Sequence, residues 1–380
     1  MIDQTNNISW RRLRRNKGAM AGLYIIILAV LVGIFAYLLA PDHTPYANRM
    51  TLETGGQRPG YSIQMLAIKK QQPVEPVGWG ERLLYGAPSA FTWVPIRSWQ
   101  FQDTVLLVAR YVDEETQVMA RYPLSVIWYG QEQPVKDVAA LRQKIAAERI
   151  FKQTFWLGTD KFGRDILSRL LVGVRVSLSV GCIAVVISLT IGVLLGAVAG
   201  YFRGWADDVI MWLINVIWSV PTLLLVFAIT LALGKGFWQV FIAVGLTMWV
   251  NVARIIRGQV LALRELQFIE ATRALGYSHT RTIVRHILPN ILGPVMVVAA
   301  SNFATAIVVE AGLSFLGVGV QPPQPSWGLM IKENYNFIIT HNPLLALVPG
   351  IAIMLMVLAF NLLGNGLRDA LDVRSQHVDK

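Results

Sequence analysis

The hydrophobic pattern of this chain consists of long unbroken blocks rather than short amphipathic periods. Ala19–Ala40 is an uncharged run of 22 residues. A bilayer core about 30 Å thick asks for roughly 20 apolar residues per spanning helix. Five further runs approach or exceed that length: Val176–Gly200, Val209–Leu233, Phe237–Ala253, Ile291–Val309 and Leu344–Leu363. The pattern predicts an all-α membrane protein with six transmembrane helices. Pro221 falls near the middle of the third run, which a membrane helix tolerates if neighbours satisfy the freed carbonyl. Gly192, Gly196 and Gly200 recur every fourth residue and predict a flat ridge against which another helix packs closely.

Between the first two runs the chain has no such block. Its start is rich in Pro and Gly (Pro59, Gly60, Pro73, Pro76). Thr104–Tyr111 and Gln117–Tyr129 have the β-branched and aromatic content of strands, and Ala139–Lys152 reads as helix. This is a small α+β or irregular insertion. The predicted organisation is a tail at 1–18, the first helix at 19–40, and the insertion with a pre-helix segment at 41–165. A core with helices 2 to 6 follows at 166–367, containing a loop at 254–288, and a tail closes the chain at 368–380.

Charge sets the orientation. Only 15% of residues are charged, against roughly 25% in soluble proteins. The net charge of +11 is unevenly spread. Thirteen acids nearly balance fifteen Lys and Arg between Pro41 and Asp165. The excess lies in Arg11, Arg12, Arg14, Arg15 and Lys17, and in Arg254–Leu288, where six arginines face Glu265 and Glu270. Both stretches flank apolar runs, as cytoplasmic segments do. The N-terminus, the 254–288 loop and the C-terminal tail are therefore expected in the cytoplasm and the insertion outside. The first run is too long for a cleaved signal peptide, and Leu38 stands where a small residue is needed before the cut.

Several function classes fall away. No stretch interleaves basic and aromatic residues as a nucleic-acid platform does. Cys182 is the only cysteine, so there is neither a disulfide framework nor a cysteine zinc site. His43, His279, His286, His341 and His377 are scattered without metal-ligand spacing. Gly234-Lys235-Gly236 lacks the rest of a phosphate cradle, so no ATP site is expected in this chain. No catalytic constellation is found, and no metal or cofactor.

Three segments carry candidate chemistry. In the 254–288 loop, Leu261–Leu275 reads as a helix stopped by Gly276. Ser278 caps a second helix on which Arg281 and Arg285 share a face, and Pro289 marks the turn back into the membrane. Such a helix–turn–helix suits docking into a partner's groove; the plainer alternative is a basic connecting loop. In the second segment, Asp160 is expected to cap a short amphipathic helix with Phe162, Ile166 and Leu170 on one side and Arg164, Asp165 and Ser168 on the other. That helix would lie on the outer membrane interface, with either a structural role or contact with a binding protein. The third is Glu310, an acid at the end of the fifth apolar run, which marks either a pathway or gate residue or a structural hydrogen-bond hub near the outer surface.

These segments also carry a resemblance. Glu270, Ala271, Gly276, Leu288 and Pro289 match in spacing the loop motif of bacterial ABC-importer permeases. Thr272 stands for the motif's second Ala, and His286 for an aliphatic residue. Arg285-His286-Ile287-Leu288-Pro289-Asn290 resembles the dipeptide/oligopeptide/nickel branch. So do Leu157-Gly158-Thr159-Asp160-Lys161-Phe162-Gly163-Arg164-Asp165, with Ser168 and Arg169, and Leu313–Pro323 with Pro325-Ser326-Trp327-Gly328. The three motifs resemble those of the second, or C-type, permease subunit. They cover roughly Phe155 to Val373 plus the N-terminal helix; the 45–150 insertion is longer than most relatives have. The resemblance implies an inner-membrane permease working with a paralogous permease, two cytoplasmic ATPase domains that bind ATP, and an extracytoplasmic solute-binding protein. It implies that Glu270, Ala271, Thr272, Gly276, Arg281, Arg285, Leu288 and Pro289 form the ATPase-coupling loop, and it singles out the pre-helix residues Gly158, Thr159, Asp160, Gly163, Arg164 and Asp165. Short peptides are the family's commonest cargo, and nickel is also carried.

Two other readings compete. An ion-coupled secondary transporter would need paired broken helices and a relay of buried acids or histidines, for which the sequence offers only Glu310. A membrane-anchored enzyme would need its site in the insertion.

Overall fold

The computed structural model describes residues 10–113, 115–234, 236–339 and 342–371. Lys235, His341, His377 and the rest of residues 1–9 and 372–380 lie outside the described residues. Five helices are long and apolar enough to cross a membrane, or six elements if one sharply bent pair counts as a span. In chain order the main helices are α1 (Lys17–Ile34), α2 (Ile166–Phe202), α3 (Gly204–Trp218), α4 (Thr222–Leu233), α5 (Phe237–Arg264), α6 (Gln267–Ala274), α7 (His279–Leu316), α8 (Trp327–Asn334) and α9 (Leu344–Leu371).

Three boundaries differ from expectation, each for a local reason. The Val209–Leu233 run is not one helix: α3 and α4 meet at 91°. Pro221 sits at the start of α4, where it has no N–H to continue α3 and drives Val220 away from helical geometry. The Phe237–Ala253 run does not end at its last apolar residue. α5 continues to Arg264, because Leu261, Ala262 and Leu263 are good helix formers and no proline intervenes. Pro289 does not turn the chain. It lies inside α7, where a wide π-type turn over Ile283–Ile287 followed by a tight turn over Leu288–Ile291 makes room for its ring.

The chain divides into two units, Met1–Val30 with Val176–Gln321 and Ile351–Lys380, and Leu31–Arg175 with Pro322–Gly350. In the first, α5 is the central helix: 67% of its apolar window is buried, against 17–39% for α1, α2, α7 and α9. Its residues Val240, Phe241, Val244 and Met248 meet Val180 and Ala184 of α2, Val226 of α4, and Ala306 and Leu313 of α7. The predicted glycine ridge packs here. A Cβ on Gly192 would lie 2.4 Å from the Val252 Cβ, and one on Gly196 would lie 2.5 Å from the Ala253 carbonyl oxygen. α1 is held against α9 in the same manner, since a Cβ on Gly22 would lie 2.4 Å from the Ala359 carbonyl oxygen. Close backbone approach replaces hydrophobic burial as the source of specificity between helices in lipid.

The second unit contains an antiparallel sheet of order β4-β3-β2-β1-β5, with β1 Tyr61–Lys69, β2 Phe91–Gln102, β3 Val105–Tyr111, β4 Gln117–Pro123 and β5 Ile150–Phe155. Helices Leu124–Tyr129 and Val138–Glu148 bury Leu124, Ile127, Leu141 and Ile145 with Leu66, Ile96, Leu106 and Val108. The predicted Gln117–Tyr129 strand therefore stops at Pro123. Beyond it Leu124, Ile127 and Trp128 follow a helical period into this core. The predicted Ala139–Lys152 helix ends at Glu148, and Ile150–Phe155 becomes a strand by pairing with β1, Tyr61 opposite Phe155 and Leu66 opposite Ile150.

Candidate functional site

The 254–288 segment folds into the end of α5, then α6, then the start of α7, so the expected Leu261–Leu275 helix is broken at Glu265–Leu266. α6 is short and its anchorage is narrow. Ile269 is fully buried in a cluster with Val260, Ile287 and Ile291. Thr272, also buried, donates to the Ile269 carbonyl at 2.7 Å and lies 3.4 Å from the Thr282 hydroxyl. The residue that departs from the family's Ala is thus satisfied inside the turn. Glu270, Ala271, Arg273 and Leu275 point away from this core and are exposed, as are Phe268 and Leu266.

The turn after α6 follows from Gly276. Its φ is +73°, a left-handed angle that costs a residue with a Cβ about 1–2 kcal/mol. There the Tyr277 amide donates to the Thr272 carbonyl and the Gly276 amide to that of Arg273, closing the helix in the pattern such a glycine permits. Ser278 then caps the next helical turn, its hydroxyl accepting from the Arg281 amide at 3.4 Å. Arg281 lies over the Tyr277 ring at 4.2 Å. Arg281, Arg285 and Pro289 are exposed and Leu288 is half-buried. Together α6 and this turn present a mixed charged and apolar surface carried by two anchored helices.

A cavity of about 770 Å³ opens in the same unit between the α3–α4 elbow, α5 and α7. α5 contributes Thr247, Asn251 and Arg254, which share one helical stripe, and α7 contributes Ser301, Asn302 and Thr305. Apart from Thr222 the remaining walls are apolar, among them Leu223, Met248 and Val308. The stripe at i, i+4 and i+7 is readable in the sequence, but ending the helix at Ala253 hides it.

Glu310 does not line this cavity. It is fully buried, and its Oε1 accepts from the Ser314 hydroxyl at 2.6 Å. The Ser314 oxygen in turn accepts from the Val320 amide at 3.0 Å. The chain of bonds fastens the Gly317–Val320 turn to the end of α7. Replacing Glu310 with Gln keeps an acceptor for Ser314, so transport is expected to stay within about twofold. Alanine leaves the buried Ser314 hydroxyl without this acceptor, at about 1–3 kcal/mol. Uptake assays on the two variants check this; equal loss in both would assign the charge itself a role.

In the second unit the pre-helix motif is not an amphipathic interface helix. Asp160 does not cap one; its Oδ1 accepts from the Phe162 and Arg164 amides, closing a turn. Asp165 is the cap, at the head of α2, accepting from the amide and hydroxyl of Ser168. Burial pushes the Asp165 carboxyl above its usual range, opposed by those Ser168 bonds. Arg164, Asp165 and Ser168 are not on a solvated face either: all three, with Asp160 and Arg169, are at most 3% exposed. Arg164 donates to Asp160 Oδ2 at 2.6 Å and to Glu333 Oε2 at 2.7 Å, and Arg169 donates to the same Glu333 oxygen at 3.0 Å. Thr159 is buried and bridges Thr54 and Gln57. Gly158 and Gly163 sit where a Cβ would strike the backbone of Gln57 and Thr51. Trp327, from the third motif, donates to the Leu170 carbonyl at 3.1 Å. The Trp327 bond thus ties the third motif to the helix that carries Arg169 of this buried polar cluster. Glu333 completes it, and nothing in its sequence neighbourhood signals that role.

Comparison with known proteins gives consistent matches. A family described as binding-protein-dependent transport system inner membrane component matches residues 192–377. The N-terminal transmembrane domain of oligopeptide transport permease C matches residues 7–53. A glutathione transport system permease protein of Pectobacterium atrosepticum is 43% identical over 217 residues, covering 57% of this chain and 72% of that protein. A dipeptide transport system permease protein of Alkalihalophilus pseudofirmus is 44% identical, covering 57% and 71%. An oligopeptide transport system permease protein of Bacillus subtilis is 41% identical over the same shares.

Proposed function

Because the chain belongs to the family of inner membrane components of binding-protein-dependent transport systems, we propose that it forms half of a peptide channel. The chain is a transport subunit, not an enzyme, and it resides in the cytoplasmic membrane as a multi-pass protein. The names of the three relatives refer to glutathione, dipeptide and oligopeptide transport, and a peptide backbone is what those cargoes share. The channel is completed by a paralogous permease. Two cytoplasmic ATPase domains drive it, and an extracytoplasmic solute-binding protein delivers the cargo.

The observation that carries this reading is α6. A buried Ile269 and the Gly276 turn fix where the helix sits, while Glu270, Ala271, Arg281 and Arg285 are left exposed. We assign that surface to the groove of an ATPase domain, with Thr272, Leu288 and Pro289 maintaining its shape. With the bent α3–α4 pair taken as one span, a cytoplasmic α6 goes with a cytoplasmic N-terminus and a β-sheet insertion outside. Glu310 is assigned to holding the Gly317–Val320 turn rather than to the pathway, and the pre-helix residues to the scaffold of the second unit.

Cysteine labelling tests the orientation. On a Cys182→Ala background, single cysteines at Tyr61 and Gln324 are expected to react with an impermeant reagent in intact cells, and one at Ser278 only after permeabilisation. Labelling at Ser278 from outside would reverse the assignment of α6.

A further inference from the structure

The α5 stripe carries two arginines one turn apart, and the structure treats them differently. Arg257 is neutralised, its guanidinium held by both carboxylate oxygens of Asp207 at 2.5 and 2.6 Å. Arg254 is exposed and lines the cavity. Among the described residues no carboxylate lies within ion-pair distance of it. Its guanidinium rests at 4.2 Å over the ring of Trp218, the last residue of α3 before the elbow. Among the described residues lining the cavity, it is the one with an ionisable side chain.

We propose that Arg254 reads a carboxylate of the cargo, the C-terminal carboxylate of a peptide, as the cargo crosses this cavity. The inference rests on the peptide-channel reading above. Three features support it. A lone cation between low-dielectric walls focuses its field into the cavity and raises the local concentration of anionic groups. The Trp218 face holds the guanidinium plane by a cation–π contact, which leaves its N–H edges available for a two-pronged bond to a carboxylate. Asn251, one turn along α5, and Ser301 of α7 add exposed neutral groups suited to peptide amides. A structural arginine would be expected to resemble Arg257, with its charge consumed inside the protein.

The test uses the reconstituted complex in proteoliposomes, with binding protein loaded with trialanine or with trialanine C-terminal amide. Loading is measured directly, so that uptake is expressed per loaded binding protein. Wild type is expected to move the free carboxylate about tenfold faster than the amide, the order of one charge-assisted hydrogen bond. Arg254→Gln should bring the ratio close to one, with stimulation of ATP hydrolysis by loaded binding protein retained. Arg254→Lys, which keeps the charge but not the planar fork, should fall between. A wild-type ratio in Arg254→Gln would overturn the proposal. Equal loss of both probes together with the ATPase response would also overturn it, by assigning Arg254 to the fold. If the wild-type complex moves neither probe with ATP, the peptide reading itself fails and takes this inference with it.

Discussion

Glu333→Ala is expected to remove most of the protein from the membrane at growth temperature. The reason is an imbalance of buried charge. Glu333 Oε2 accepts from both Arg164 and Arg169, and these are among the largest fully buried side chains in the chain. Arg164 keeps Asp160 if Glu333 is lost. Arg169 keeps only a contact with Asp160 at 3.8 Å, and its Nε and Nη1 have no hydrogen-bond partner among the described residues. Breaking such a pair by removing one side leaves an uncompensated buried cation and costs about 3–5 kcal/mol. Total stabilities are about 5–15 kcal/mol. Quantitative immunoblots of membranes, and thermal unfolding of what is recovered in detergent, measure the effect. Glu333→Gln retains an acceptor without the charge and should fall between. Wild-type levels and melting for Glu333→Ala would show that the cluster carries no stability.

The second large effect is on transport rather than on folding. Glu270→Lys and Gly276→Val are each expected to reduce uptake about tenfold or more, the consequence of losing about 1.4 kcal/mol at a docking surface. Protein levels should stay near normal. Glu270 is exposed in the first turn of α6 and has no ion-pair partner among the described residues. Placing a lysine there costs only about 0.3–1 kcal/mol against the helix dipole. A Cβ on Gly276 would meet nothing within 4 Å, so valine brings only local backbone strain of about 1–2 kcal/mol. What both changes alter is the surface and aim of α6. Co-purification of the ATPase subunits, and the ratio of ATP hydrolysed to cargo moved, separate weak docking from uncoupling. Full transport by both variants would remove α6 from the mechanism.

What the sequence made legible is what local chemistry decides. The apolar blocks announced the membrane helices because few other uses exist for twenty uncharged residues in a row. Gly276 and Ser278 announced the turn after α6 because left-handed geometry and a hydroxyl cap are one-residue properties. The glycine ridge was readable for the same reason. Other elements are decided by distant segments. Ile150–Phe155 is a strand only because β1 lies beside it. Asp160 turns the chain and Asp165 starts α2, and Asp160 also pairs with Arg164, whose other partner, Glu333, lies 169 residues away. The continuation of α5 to Arg264 is not marked by hydropathy, because the end of an apolar run marks the limit of lipid, not of the helix. Ending the helix at Ala253 also conceals Arg254 and its polar stripe.

The central claim, that this chain conducts cargo under the drive of ATP bound elsewhere, is tested most directly by uptake into proteoliposomes containing the assembled complex. Cargo-loaded binding protein is supplied on one side and ATP on the other. Accumulation is expected only with both present and only when this chain is in the complex. An imposed proton or sodium gradient should give none. Accumulation driven by such a gradient without nucleotide would contradict the account and identify an ion-coupled transporter instead.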